Sequence, residues 1–320
     1  MQKINSLLLP TNFPTLNAIK SCKDNLCGYE PEFWEFFYEA NRYLERVDIE
    51  TLSERYRALL RNLTCLSSKE RDVIPRQSTL SSWYWFIKEH QTRYEFFLRG
   101  EPLPVEPPAG VVCNEHVDAP LRPRTLNGTD VIFRNCKQQH AISLVERGGL
   151  RIWPASKYSE LEGDKARADD ELNKSVFWSG AKIKITTQSG NEIPVLGNFE
   201  RLTSMHDYYT YCTSCNFVSE LKNECGGACV VINDVAKFSN RLNNAINKIL
   251  DNWYDFHCPV QYYDPYDCPP NQQIDTAMYK DFKFAYQQEY RFIWIHMEGV
   301  EAAGYLDLEL GCLSDIAQLL

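Results

Sequence analysis

Hydrophobic positions change their period part-way along this chain. From residue 30 to about residue 100 they recur at helical spacing. Phe33, Trp34, Phe36, Phe37, Ala40, Tyr43 and Leu44 follow Pro31, which suits a first helical turn. Leu52, Tyr56, Leu59, Leu60 and Leu63 mark a second helix. Trp83, Trp85, Phe86, Ile87, Tyr94, Phe96, Phe97 and Leu98 mark a third, which stops at Gly100. The pattern predicts a small helical domain with an aromatic core; the alternative is an aromatic face left exposed for a partner. Residues 101–110, with Pro102, Pro104, Pro107 and Pro108, read as an extended, semi-rigid linker. A boundary there predicts a helical N-terminal domain over 1–110 and a second domain over 111–320.

Beyond residue 130 the pattern predicts an α+β fold. Residues 131–134 form a short strand, 138–147 a helix stopped by Gly148 and Gly149, and 150–154 a second strand ended by Pro154. The charged segment 159–174 has no apolar period and reads as a loop or surface helix. Residues 181–187 and 193–196 suggest a hairpin. Strands are expected at 208–214, 228–232, 260–263 and 305–310, a helix over 239–250 capped by Ser239, and a short helix from Ser314. Residues 282–294 alternate most clearly. Phe282, Phe284, Tyr286, Tyr290, Phe292 and Trp294 take one face, while Lys283, Gln287, Glu289 and Arg291 take the other. That pattern predicts a half-buried strand aiming Gln287 and Glu289 at one side, one pleat repeat apart.

Composition narrows the classes. At 320 residues the chain can bury a large core. No run approaches the roughly 18 apolar residues of a membrane span, and the apolar N-terminal run is too short for a secretory signal. A soluble cytoplasmic protein with no membrane partner is the expectation. A net charge of −9 argues against broad electrostatic binding of nucleic acid. The twelve cysteines are expected to stay reduced. Cys212, Cys215, Cys225 and Cys229 have spacing that could close a zinc site, but they sit in segments that read as buried strands. His140, His206, His257 and His296 show no metal-ligand spacing. Arg291 is expected to pair with a carboxylate near the sheet.

Three features then fall in order: Arg134 in the first strand, Cys212-Thr213-Ser214 in a middle strand, and Gln287-Gln288-Glu289 in a late one. This resembles the Arg…Ser-Thr-Ser…Gln/Glu-x-Glu layout of the NAD-dependent ADP-ribosyltransferases. The strand–helix–strand opening, the Tyr211-Cys212-Thr213-Ser214 segment and Gln288-Glu289-Tyr290-Arg291 resemble the divergent bacterial branch found in toxin–antitoxin and phage-defence systems. The resemblance spans about residues 130–320 and departs from the pattern at Cys212, where the family has serine. It implies an ADP-ribosyltransferase-like split β-sheet domain that takes NAD as substrate. Glu289 would be catalytic, stabilising the cationic ribose that forms as nicotinamide leaves. Arg134 would pair with the NAD phosphates, Ser214 or Thr213 would anchor the nicotinamide side or orient Glu289, and Tyr211 would stack on the nicotinamide ring. Gln287 would meet the acceptor. Its amide suits a nucleobase of RNA or DNA, or a protein amide side chain, rather than arginine. An antitoxin or other regulatory protein is the implied partner. The alternatives are an NAD glycohydrolase on the same fold and a zinc-binding interaction module.

Overall fold

The computed structural model describes residues 31–66, 82–104, 124–126, 129–160, 170–180, 183, 185–195, 197–269 and 271–320. Most of the expected linker (105–110) and most of the charged segment (161–169) lie outside these residues. The chain divides into two compact units. One comprises Met1–Ala119, Val176–Arg201 and Asp264–Pro269; the other comprises Pro120–Ser175, Leu202–Tyr263 and Pro270–Leu320. Two segments expected in the second domain therefore group with the first.

The first unit carries helices α1 (Pro31–Asn41), α2 (Ile49–Leu66) and α3 (Ser82–Arg99). Asp48 begins α2 by accepting the Thr51 backbone N–H at 2.8 Å, and Gly100 ends α3 with φ +69°. Tyr38, Tyr43, Leu44, Leu52, Tyr94 and Phe96 pack together. The aromatic period was expected to turn Phe36 and Phe37 inward. Trp34 is buried as expected, but Tyr38 completes the stripe in their place, and Phe36 is left 66% exposed. Inside this unit Glu95 accepts from Tyr38, Arg42 and Arg99, and Arg55 clasps Asp264 with two bonds of 2.8 and 2.6 Å. The expected hairpin is present but short, pairing Ile185–Thr186 with Glu192–Ile193.

The second unit is mixed α/β around a large antiparallel sheet. Its strands are β1 (Arg124–Leu126), β2 (Thr129–Lys137), β3 (Gly149–Pro154), β4 (Tyr209–Ser214), β5 (Gly227–Ile232), β6 (Trp253–Pro259), β7 (Glu289–His296), β8 (Leu306–Glu309) and β9 (Ala317–Leu319). The order is β6-β7-β4-β2-β5-β9, with β1 beside β2 and β3 bridging β4 to β8. Helices α4 (Gln138–Arg147), α5 (Ser219–Glu224) and α6 (Val235–Ile246) accompany it. One sheet face builds the main core from Ile132, Tyr209, Tyr211, Tyr290, Phe292 and Trp294, with Phe238 and Leu242 of α6.

Three expectations change here. Helix α6 starts at Val235 because Asp234, not Ser239, caps it by accepting the Lys237 N–H at 2.9 Å; Ser239 is buried inside the helix. Ser314 begins no helix, and the chain closes on β9 paired with β5. The alternating segment is not one strand. Phe282–Gln287 is a 3₁₀ turn opened by the Asp281 carboxylate, which accepts from the Lys283 N–H at 3.0 Å. Gln288, at φ +46°, then redirects the chain into β7. From Phe284 to Trp294 every side chain is buried, so the expected wet face is interior.

Candidate functional site

β4 pairs with β7 along its whole length. On its other side it meets β3 only at Tyr209 and Thr210, and β2 only at Ser214, opposite Phe133. Among the described residues, 211–213 therefore have no strand neighbour on that side, and the halves of the sheet part there. A cavity of about 900 Å³ opens at the split, lined among others by Arg134, Tyr158, Cys212, Lys280, Gln287 and Glu289. That is large for a small-molecule site, where volumes of about 300–1,000 Å³ are usual.

Backbone direction at the split follows from the ladder, in which successive residues turn their polar groups to opposite sides. The Glu289 N–H donates to the Tyr262 hydroxyl and its carbonyl accepts from the Val260 N–H, both at 2.9 Å. Glu289 thus faces its backbone away from β4. Its partner Ser214 must face away from β7, and Cys212, two residues earlier, does the same into the split. Arg134 is the first residue beyond the Phe133–Ser214 contact. Its Nη1 donates to the Cys212 carbonyl at 2.6 Å, and its guanidinium lies 4.7 Å over the Tyr211 ring. By the same alternation Asn135 turns its backbone N–H and C=O to the open side of β2.

Glu289 sits at the floor of the cleft inside a buried charge cluster. Its Oε2 is 3.1 Å from both Lys280 Nζ and Arg291 Nη2. Arg291 also reaches Glu171 at 2.8 Å and the Ala277 carbonyl at 2.9 Å. Lys280 lies 3.4 Å and Lys174 3.6 Å from Glu171. Burial by itself would raise the Glu289 carboxyl; the Arg291 and Lys280 charges outweigh it and hold the group below the usual carboxylate range. Glu171 is lowered in the same way, with Arg291, Lys280 and Lys174 opposing its burial. Cys212 stands opposite Arg291 in register and so shares the Glu289 face of the sheet. Burial first, and Glu289 second, push the thiol up to about 12.

No family model, curated protein or solved structure matches this chain. The site therefore stands on its own geometry. The split brings Arg134, Ser214, Gln287 and Glu289 to one cleft, as the sequence placed them in order. Ser214 is directly opposite Glu289 in register, and Gln287 is buried at the turn before it. Thr213 lines the same cavity, but its hydroxyl is committed to the Tyr290 carbonyl at 3.0 Å. Tyr211 packs against Phe238 and Phe292 with Arg134 over its ring, so the face expected to stack on a ligand already holds a guanidinium. Arg291 pairs with carboxylates as anticipated.

Glu171, Lys280 and Cys212 were missed as site residues. Glu171 and Lys280 lie in stretches without apolar period, and only the fold brings them to Glu289. The cysteine at the first middle-motif position was the available signal for Cys212. The four cysteines of the zinc reading separate by face and cluster. Cys215 joins the main core, Cys229 packs with Val131, Phe133 and Val231, and Cys225 packs with Val218 and Leu221. Among the described residues no His, Cys, Asp and Glu group could hold a metal ion. Nor, among those residues, is any helix long and apolar enough to cross a membrane.

Proposed function

We propose that the second unit is an ADP-ribosyltransferase-like domain that cleaves NAD at this cleft and passes ADP-ribose to a macromolecular acceptor. The observation that carries the reading is Glu289, a carboxylate kept ionised at the floor of a split between two halves of a sheet. When the bond between the ribose carbon and the nicotinamide nitrogen breaks, its electron pair leaves with nicotinamide and positive charge develops on the ribose. A fixed anion lowers that barrier electrostatically. The leaving group is a cationic pyridinium that departs neutral, so no second carboxyl is needed to protonate it. An acceptor nitrogen or oxygen then bonds to the ribose carbon and gives up its proton.

Other features suit such a substrate. The open backbone of Asn135 offers one donor and one acceptor side by side, the complement of a primary carboxamide. Arg134 stands at the same split with a planar fork suited to a phosphate, though here one arm holds the Cys212 carbonyl. Gln287 lines the cleft next to Glu289 and is the group proposed to meet an acceptor amide or nucleobase. A toxin restrained by an antitoxin or other regulator fits an enzyme that consumes NAD.

The test is incubation of the whole chain with NAD labelled in its adenylate half, together with separate RNA, DNA and protein pools. Label carried by one pool supports transfer, and Gln287→Ala should reduce that label more than it reduces nicotinamide release. Free ADP-ribose alone would replace transfer with NAD hydrolysis. Absence of any nicotinamide release would refute the proposal.

A further inference from the structure

The mouth of the cleft carries a layered aromatic surface for which the chemistry at Glu289 has no use. Trp153 lies near the end of β3 and Tyr305 just before β8; their rings are 5.2 Å apart and tilted by 58°. Arg151 is two residues before Trp153 and so shares its strand face. Its guanidinium lies 3.8 Å over the Tyr305 ring and 5.5 Å from the Trp153 ring. Asp307, its register partner on β8, fixes the guanidinium with bonds of 2.7 and 2.8 Å. The neighbours Ile152, Leu306 and Leu308 are buried, yet Trp153 is 36% and Tyr305 49% exposed. Arg151, Trp153 and Asp307 line the same cavity as Glu289.

Large rings on a cleft wall, held by a charge pair on two paired strands, form a surface with little conformational freedom left to lose on binding. The charge of Arg151 is already met by Asp307. What the group offers a ligand is therefore flat π surface rather than a phosphate contact. Glu309, which also lines the cavity, further disfavours an anion on this wall. The matching ligand is a planar, uncharged heteroaromatic ring.

We propose that Arg151, Trp153 and Tyr305 form a nucleobase-stacking platform at the cleft mouth. The proposal rests on the NAD reading only for the source of the base, which is either the adenine of NAD or a base of a nucleic-acid acceptor. Binding to the full chain is measured by isothermal titration with two probes that are not turned over, ADP-ribose and a single-stranded RNA hexamer. Trp153→Ala and Tyr305→Ala should each weaken binding at least roughly fivefold, given about 1–3 kcal/mol per stacked base. Trp153→Phe should recover most of it, because the π face is kept.

Weakening confined to ADP-ribose assigns the platform to the adenine of NAD; weakening with the hexamer assigns it to the acceptor. If neither probe binds the wild type at millimolar concentration, or if both alanine variants bind within twofold of it, the platform does not exist. Tyr305 is half exposed, so its variant keeps the test readable should Trp153→Ala fold poorly. Because the readout is binding, a wild type that releases no nicotinamide would refute the NAD reading and leave this result standing.

Discussion

Glu289→Gln is the most informative substitution because two consequences of one geometry separate. The carboxylate is almost fully buried and 3.1 Å from two cations. Replacing it with a neutral amide removes one of the two carboxylates that Lys280 and Arg291 share and leaves them Glu171. Removing one member of a buried ion pair typically costs about 3–5 kcal/mol, a large share of the roughly 5–15 kcal/mol that stabilises a domain. The variant should therefore lose stability as well as NAD turnover, the latter by roughly 10²–10³-fold as for other electrostatic groups at a developing charge. Lys280→Met in the same chain separates the effects. With the Lys280 ammonium removed as well, the double variant should recover roughly 1–3 kcal/mol relative to the sum of the singles, while turnover stays lost. Urea unfolding followed by circular dichroism reads the first quantity, and nicotinamide release reads the second. Strict additivity, or a Glu289→Gln variant within about 1 kcal/mol of wild type, would sink the coupled-cluster account. Near-native turnover in either chain would sink the catalytic assignment.

Two further outcomes follow from the same structure. The Glu289 carboxyl lies below its ordinary 4.5, so the stability it contributes is complete above that value and is lost only as pH falls through the lower folded-state value. Lys280→Met should accordingly move both the acid-unfolding midpoint and the acid limb of NAD cleavage upward; an unchanged acid titration would contradict the proposed role of Lys280. Gly148 ends α4 at φ +65°, and an added Cβ would stand 2.5 Å from the Gly311 carbonyl oxygen. Gly148→Ala should cost at least about 2 kcal/mol from strain and overlap together. Gly100→Ala, with φ +69° and open space around it, should cost only the strain, about 1–2 kcal/mol. Equal thermal shifts for the two variants would refute the close approach at Gly148.

Much of the local structure was legible because its causes are local. Pro31 opens α1, Gly148 ends α4 in the left-handed conformation, and Pro154 closes β3, each acting through its own backbone. The errors arose where a short polar side chain outweighed the apolar period. Asp234 capped α6 one turn before Ser239, and Asp281 turned the start of the aromatic run into a 3₁₀ turn. The order Arg134, Cys212-Thr213-Ser214, Gln287-x-Glu289 could be read along the chain. That Cys212 rather than Thr213 shares the Glu289 side of the sheet could not, because it depends on the register of β4 against β7.

The chain alone therefore determined most of the local elements and several of their stops, and the order in which the candidate residues follow one another. The segment around Glu289 shows what it left open. Alternation promised a half-wet strand, whereas the fold buries both faces and sets the carboxylate between Lys280 and Arg291, with Glu171 on their far side. Whether a polar face meets water or a counter-charge depends on what covers it, and the covering residues come from distant segments. Only the tertiary structure could bring Glu171, 118 positions earlier in sequence, to the cations that hold Glu289 ionised.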